Sequence, residues 1–184
     1  MEFGAVLLPH PKLAAQQASL VEARGFTHAW FPDLPVLGGD VYACLALAAT
    51  ATHRVKLGTH IAVAPLRPAP VTVHSIATIN TLAPGRVVLG FGSGSFTRSL
   101  MGLPPMKVRH LRAQVRVIRE LLDRGEAVYE TEGVRRSIRF LGGAFGCINL
   151  EPRIPLYVAA SAPRVAALAG EDRKSTRLNS SHRL

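Results

Sequence analysis

Two apolar, β-branched runs, RVKLGTHIAV at 54–63 and RVVLGFGSGS at 86–95, each pass into glycine and small polar residues, and an alanine- and valine-rich segment of helical character lies between them. Strand, helix, strand in that order requires a parallel sheet, since parallel neighbours need a long crossover and a helix supplies it. In such sheets functional groups gather at the strand C-termini. The spacing therefore points to an enzyme that holds a cofactor.

Composition narrows the class. The chain has 184 residues, 48% of them hydrophobic, enough for one domain with a sizeable core. Met1, Glu2 and Phe3 lead straight into a strand-like run with no basic leader, and no apolar stretch is long enough to span a bilayer. Cys44 and Cys147 lie far apart and form no CxxC pair, which argues against a disulfide framework or a metal site and fits a reducing cytoplasm. The net charge of +10 invites a nucleic-acid reading, but four basic and no acidic residues fall in 173–184, which leaves +6 for the rest. That tail, RKSTRLNSSHRL, has too few apolar residues to bury a face and reads as disordered. It also resembles translated sequencing-adapter read-through, so the domain is taken as 1–172. A basic nucleic-acid-binding protein is the alternative of a different class, weakened because no aromatics interleave with the charges.

Along the chain, strand and helix alternate. Strands are expected at Phe3–Leu8, Thr27–Phe31, Val55–Ala64, Arg86–Gly90 and Ile154–Ala159. Helices are expected at Lys12–Arg24 with Gly25 behind it, Val41–Thr52 capped by Asp40, Pro70–Leu82, Lys107–Arg124 and from Pro163. In the Lys107–Arg124 helix, Val108, Leu111, Val115, Ile118 and Leu122 trace one buried stripe, and Arg109, Arg112, Arg116 and Arg119 form a solvated flank. The glycine-rich stretch 125–153 reads as an inserted hairpin or excursion.

Five strand-helix units suit the amino-terminal part of an eight-stranded (β/α)₈ barrel, which needs about 250 residues when closed. Such a part carries two unpaired edges and is expected to be poorly stable, which keeps an inactive fragment among the readings. An open doubly wound sheet is the alternative topology. Its fingerprint is incomplete, because Gly90-x-Gly92-x-Gly94 has Ser95 where the third glycine belongs and basic Arg109, His110 and Arg112 where an acidic residue is expected.

The segments GFTHAWFPD, DVYACLALAATATHRVKLGT, PVTVHSIATINTLAPGRVVLGFGSG and IPLYVAASAPRVAALAGE, in this order over residues 3–172, resemble the bacterial luciferase-like superfamily of flavin- and deazaflavin-dependent oxidoreductases. The branch most similar is the one around methylenetetrahydromethanopterin reductase. The resemblance implies a TIM barrel, coenzyme F420 with hydride transfer to or from a small organic substrate, or alternatively FMN with monooxygenation. It implies a homodimer for the uninterrupted protein, no membrane or nucleic-acid partner, and further strand-helix units beyond residue 172.

On that fold the strand ends form the mouth, so Asp33, Thr59, His60, Gly92, Ser93, Gly94, Ala159, Ala160 and Ser161 should ring one cavity. The resemblance places a bulge with a non-prolyl cis peptide at Thr59, His60 and Ile61, backing the cofactor ring. Asp33 and His60 are the candidate catalytic residues; the glycines, Ala159, Ala160 and Ser161 are candidate cofactor contacts; no metal is expected. Two positions depart from sugar-phosphate-oxidising relatives: Leu34 replaces a histidine base after Asp33, and Ser95 and Arg98 stand where a glutamate and an asparagine are found.

Overall fold

The computed structural model describes residues 2–64, 66–160, 163–170 and 176–178. The elements run β1 (Gly4–Val6), α1 (Ala14–Ala23), β2 (His28–Phe31), α2 (Val41–Ala51), β3 (Lys56–Thr59), β4 (Ala62–Val63), α3 (Ala69–Leu82) and β5 (Val87–Gly92). They continue with α4 (Ser95–Leu100), α5 (Val108–Arg124), β6 (Glu126–Thr131), β7 (Val134–Arg139), a 3₁₀ turn at Gly142–Phe145, β8 (Leu156–Ala159), α6 (Pro163–Gly170) and β9 (Thr176–Leu178). The main sheet is parallel, ordered β1-β2-β3-β5-β8-β9 with β4 also paired to β5.

Alternation along the strands assigns the two faces. Ala29, Phe31, Leu57, Val87, Leu89, Phe91, Leu156 and Val158 join residues from α1, α2, α3, α5 and α6 in one apolar core. His28, Trp30, Gly58, Gly90, Gly92, Tyr157 and Ala159 alternate with them and look the other way. An open doubly wound sheet would cover both faces with helices; coverage of one face is the barrel arrangement.

Local chemistry accounts for the element ends. Asp40 caps α2 by accepting from the amides of Tyr42 and Ala43, both at 2.9 Å. Gly25 and Gly125 follow α1 and α5 with positive φ, the conformation that ends a helix most readily in glycine. Glu22 accepts from the amides of Arg54 at 2.6 Å and Val55 at 2.8 Å, binding α1 to the start of β3. Partial burial works against this carboxylate's charge, but the backbone donors prevail and hold its pKa below the usual range. Arg86 closes the end of α2, donating to the carbonyls of Ala49, Thr52 and Val55 at 3.2, 2.9 and 3.0 Å. Buried Asn80 accepts from Gly85 at 3.1 Å and donates to the Asn149 carbonyl at 3.0 Å, so the LAPGR stretch locks α3, β5 and the approach to β8 together.

Three expectations are corrected. The single strand expected at Val55–Ala64 is two, β3 and β4, because the chain bulges at His60 and Ile61, whose peptide bond is cis. The helix α4 was not expected: its six residues carry no apolar periodicity, and it is held from outside by the Thr97 hydroxyl donating to the Asp33 carbonyl at 3.1 Å. Within the tail expected to be disordered, Thr176–Leu178 forms β9 on the edge of β8. Ladder pairing uses backbone groups alone, which a composition criterion does not see. The remainder of 173–184 lies outside the described residues, and 125–153 does contain a hairpin, turning at Glu132 and Gly133 with φ of 53° and 74°.

The glycines of β5 face the bulge. A Cβ on Gly90 would collide with the Thr59 carbonyl oxygen, and one on Gly92 would come within 2.6 Å of Ile61 Cδ1 and 3.1 Å of Ala159 Cβ. On Gly94, whose φ of 61° suits glycine, it would strike Val63. Gly90→Ala is expected to destabilise by about 3 kcal/mol, since the obstacle is backbone. Gly143→Ala, where a Cβ meets nothing within 4 Å, is the matched control, and urea unfolding of both checks the difference.

Candidate active site at the strand ends

The C-terminal ends of β2, β3, β4, β5 and β8 meet around the bulge. Thr59 is fully buried and its hydroxyl donates to the Gly90 carbonyl at 2.6 Å, fixing β3 to β5 just below the break. The His60 amide donates to the Phe31 carbonyl at 2.8 Å, which ties the other side of the bulge to β2. His60, Ile61, Ser93, Gly94 and Ala159 are half-buried, and Ile61 and Ala159 both border Gly92. Ala160 does not present its methyl there: it is 3% exposed and belongs to the helix-side core. Ser161 lies outside the described residues.

Beneath this rim the inner face is aromatic. Trp30 stacks on His28 with ring centres 5.2 Å apart and planes 3° from parallel, and it lies 6.1 Å from both the His60 and Tyr157 rings. Glycine makes the space, because a Cβ on Gly4 would come within 2.5 Å of the indole nitrogen and one on Gly58 would collide with the indole. His28 is buried, with Nδ1 2.9 Å from the Thr27 hydroxyl. Burial lowers its pKa, reinforced by Lys56 and opposed by Glu2.

Asp33 sits at the end of β2, only 3% exposed. Its Oδ2 accepts from the Val63 amide at 3.2 Å and from Arg67 Nη1 at 2.8 Å, while its carbonyl receives the Thr97 hydroxyl. Arg67 also pairs with Asp40 at 2.5 Å and lies over the Tyr42 ring, 5.0 Å from its centre. Partial burial opposes the Arg67 cation most, but Asp33, helped by Tyr42 and Asp40, outweighs it and raises the arginine pKa. Tyr42, buried under that guanidinium, has its phenol pKa raised chiefly by burial. Asp33 thus joins β2, β4 and α4 through one side chain and one carbonyl.

Sequence reasoning missed Trp30, Arg67 and Tyr157. Trp30 and Tyr157 look like ordinary strand residues, and Arg67 lies in a proline-flanked loop, PLRPAP, with no spacing that announces its partner. Among the described residues no cluster of three His, Cys, Asp or Glu side chains suits a metal.

The family model for luciferase-like monooxygenases matches residues 1–179. The chain belongs to that family. Among curated relatives, the 5,10-methylenetetrahydromethanopterin reductase of Methanolobus tindarius is 29% identical over 99% of this chain and 55% of its own length. The F420-dependent glucose-6-phosphate dehydrogenase of Beutenbergia cavernae is 39% identical over 68% of this chain and 38% of its own. Among solved structures, the coenzyme F420 dependent tetrahydromethanopterin reductase of Methanopyrus kandleri superposes with a TM-score of 0.76 at 27% identity, covering 97% of this chain and 55% of that one. The FMN complex of the oxygenating constituent of 3,6-diketocamphane monooxygenase from Pseudomonas putida has the same fold, with a TM-score of 0.76 at 16% identity. The chain spans about half the length of the relatives it matches. Its seven-stranded parallel sheet corresponds to that part of a luciferase-like TIM barrel.

In this family member, Arg67→Met leaves the Asp33 carboxylate buried without its cation and is expected to cost about 2 kcal/mol, tempered by the partial exposure of Arg67. Asp33→Asn with Arg67→Met should cost less than the two single changes added, measured as a double-mutant cycle in urea. His28 gives a pH signature. Because the fold disfavours its protonation, stability is complete above its unfolded pKa of about 6.5 and falls as pH drops below that value. His28→Phe, which retains the stack on Trp30, should flatten the loss between pH 7.5 and pH 5.5.

Proposed function

We propose that this chain seats a deazaflavin ring, coenzyme F420, at the strand ends and serves an oxidoreductase that moves a hydride to or from a small organic substrate. The observation that carries this reading is the half-buried surface of Ile61, Ser93, Gly94 and Ala159 around the bulge. These four residues are small or apolar and none is a carboxylate, which suits a planar ring, and F420 appears in the names of relatives at 39% and 27% identity. When bound, F420 supplies the hydride donor or acceptor.

The chain's own residues divide the remaining work. Ile61 and the backbone at 60–61 back the ring, and Gly90 and Gly92 permit that by letting the bulge approach β5. His60, close to Trp30, stands at the bulge beside the cofactor edge. Trp30 closes the floor and keeps water from below. Asp33 is a positioning residue, since its Oδ2 is committed to Arg67 and Val63. Ser93, Gly94 and the backbone at Ala159 and Ala160 receive the cofactor's polar atoms in this reading. FMN with monooxygenation is the second reading, favoured by the family model's own description.

The free thiols of buried Cys44 and exposed Cys147 suit a reducing cytoplasm. No described helix is long and apolar enough to cross a membrane. A homodimer and a lack of nucleic-acid partners belong to the same proposal.

Fluorescence titration with F420, and with FMN in parallel, tests it. F420 should quench saturably and more tightly than FMN. Ala159→Leu, which fills the seat, should weaken binding roughly tenfold, about 1.4 kcal/mol, with an unchanged urea midpoint. Tighter FMN binding would transfer the site to the second reading, and failure of both to bind would overturn the ring seat.

A further inference from the structure

A hollow lined by none of the residues of the proposed ring seat stands toward the same end of the sheet. It lies between α4, the 101–107 loop and the first turns of α5, and has a volume of about 350 Å³. In a β/α unit the helix after a strand starts at the strand's C-terminal end, so both α4 and the head of α5 stand on the face that carries Ser93 and Ala159. The Thr97 hydroxyl, one residue before Arg98, ties this wall to Asp33.

Its lining is unbalanced in charge. Arg98, Lys107 and His110 face it, together with Pro104, Pro105, Met106 and Gln114, and no carboxylate does. Arg98 is only 8% exposed, yet its Nε and Nη2 both donate to one neutral acceptor, the Pro104 carbonyl, at 3.0 and 2.6 Å. A carbonyl satisfies hydrogen-bond geometry without neutralising charge, and buried cations are ordinarily paired with an anion. His110 takes a hydrogen bond at Nε2 from Arg109 at 3.3 Å, which leaves Nδ1 as its donor. The Gln114 Oε1 is buried with no hydrogen-bond partner. Two cations and a donating imidazole thus surround a space walled by two prolines and a methionine.

We propose that this hollow binds an organic anion, with a carboxylate or phosphate head at Arg98, Lys107 and His110 and an apolar body against Pro104, Pro105 and Met106. The identity of that ligand as the outer end of the substrate rests on the oxidoreductase reading; anion capture does not.

Calorimetric titration of the chain at low salt with hexanoate, hexyl phosphate and neutral 1-hexanol tests the proposal. Both anions should bind at one site per chain, the tighter one naming the head group, with hexanol roughly tenfold weaker. Arg98→Met also frees the 101–107 loop, so the decision falls to the double variant of Lys107→Met and His110→Ala. It should weaken both anions by roughly tenfold while thermal unfolding stays unchanged. Absence of saturable binding, equal binding of hexanol, or affinity untouched by the double variant would overturn it. F420 binding without anion capture would sink this site alone; anion capture without F420 or FMN would sink only the ring seat.

Discussion

The arrangement depends on the close contact between the bulge at His60 and Ile61 and the inner side of β5. Strands in a parallel sheet normally keep their side chains clear of a neighbour's backbone. Here the Thr59 carbonyl occupies the place where residue 90 would carry a Cβ, and Ile61 and Val63 occupy those of residues 92 and 94. Glycine at these three positions lets β3 break, restart as β4 and still pair with β5, with Val63 opposite Gly92. The half-buried surface at the strand ends follows from that break.

A second constraint keeps the break in place. Asp33 is buried, so its charge must be met, and it is met by Arg67 from the loop after β4 and by the Val63 amide within β4. The same aspartate's carbonyl anchors α4. One residue therefore couples three segments at the strand ends, and the wall that carries Arg98 is tied to the bulged region through it. Beneath, the Trp30 stack fills the interior where Gly4 and Gly58 leave room.

Legibility in the sequence followed physical range. Asp40, Gly25 and Gly125 act on their own helix ends, so the boundaries of α1, α2 and α5 stood within a few residues of expectation. The α5 stripe was largely plain, with Leu111, Val115, Ile118 and Leu122 buried and Arg109, Arg112 and Arg116 exposed, whereas Val108 and Arg119 are half-buried. The family resemblance located the bulge, which the apolar run 55–64 conceals. Partners distant in sequence were not legible: nothing local links Asp33 to Arg67, Glu22 to the amides of 53–55, or Arg86 to the end of α2.

The sequence by itself determined a parallel β/α order, the helix caps, the apolar faces and the family, because these depend on periodicity and neighbouring residues. The tertiary structure decided what each polar or small residue does. It turned the glycines of GxGxG into space for a neighbouring strand, drew Asp33 into an ion pair, faced Ala160 toward the helices and left Arg98 buried beside a hollow without a carboxylate. Those outcomes are set by which strands lie side by side, and a distance across the sheet is not encoded at any one position of the chain.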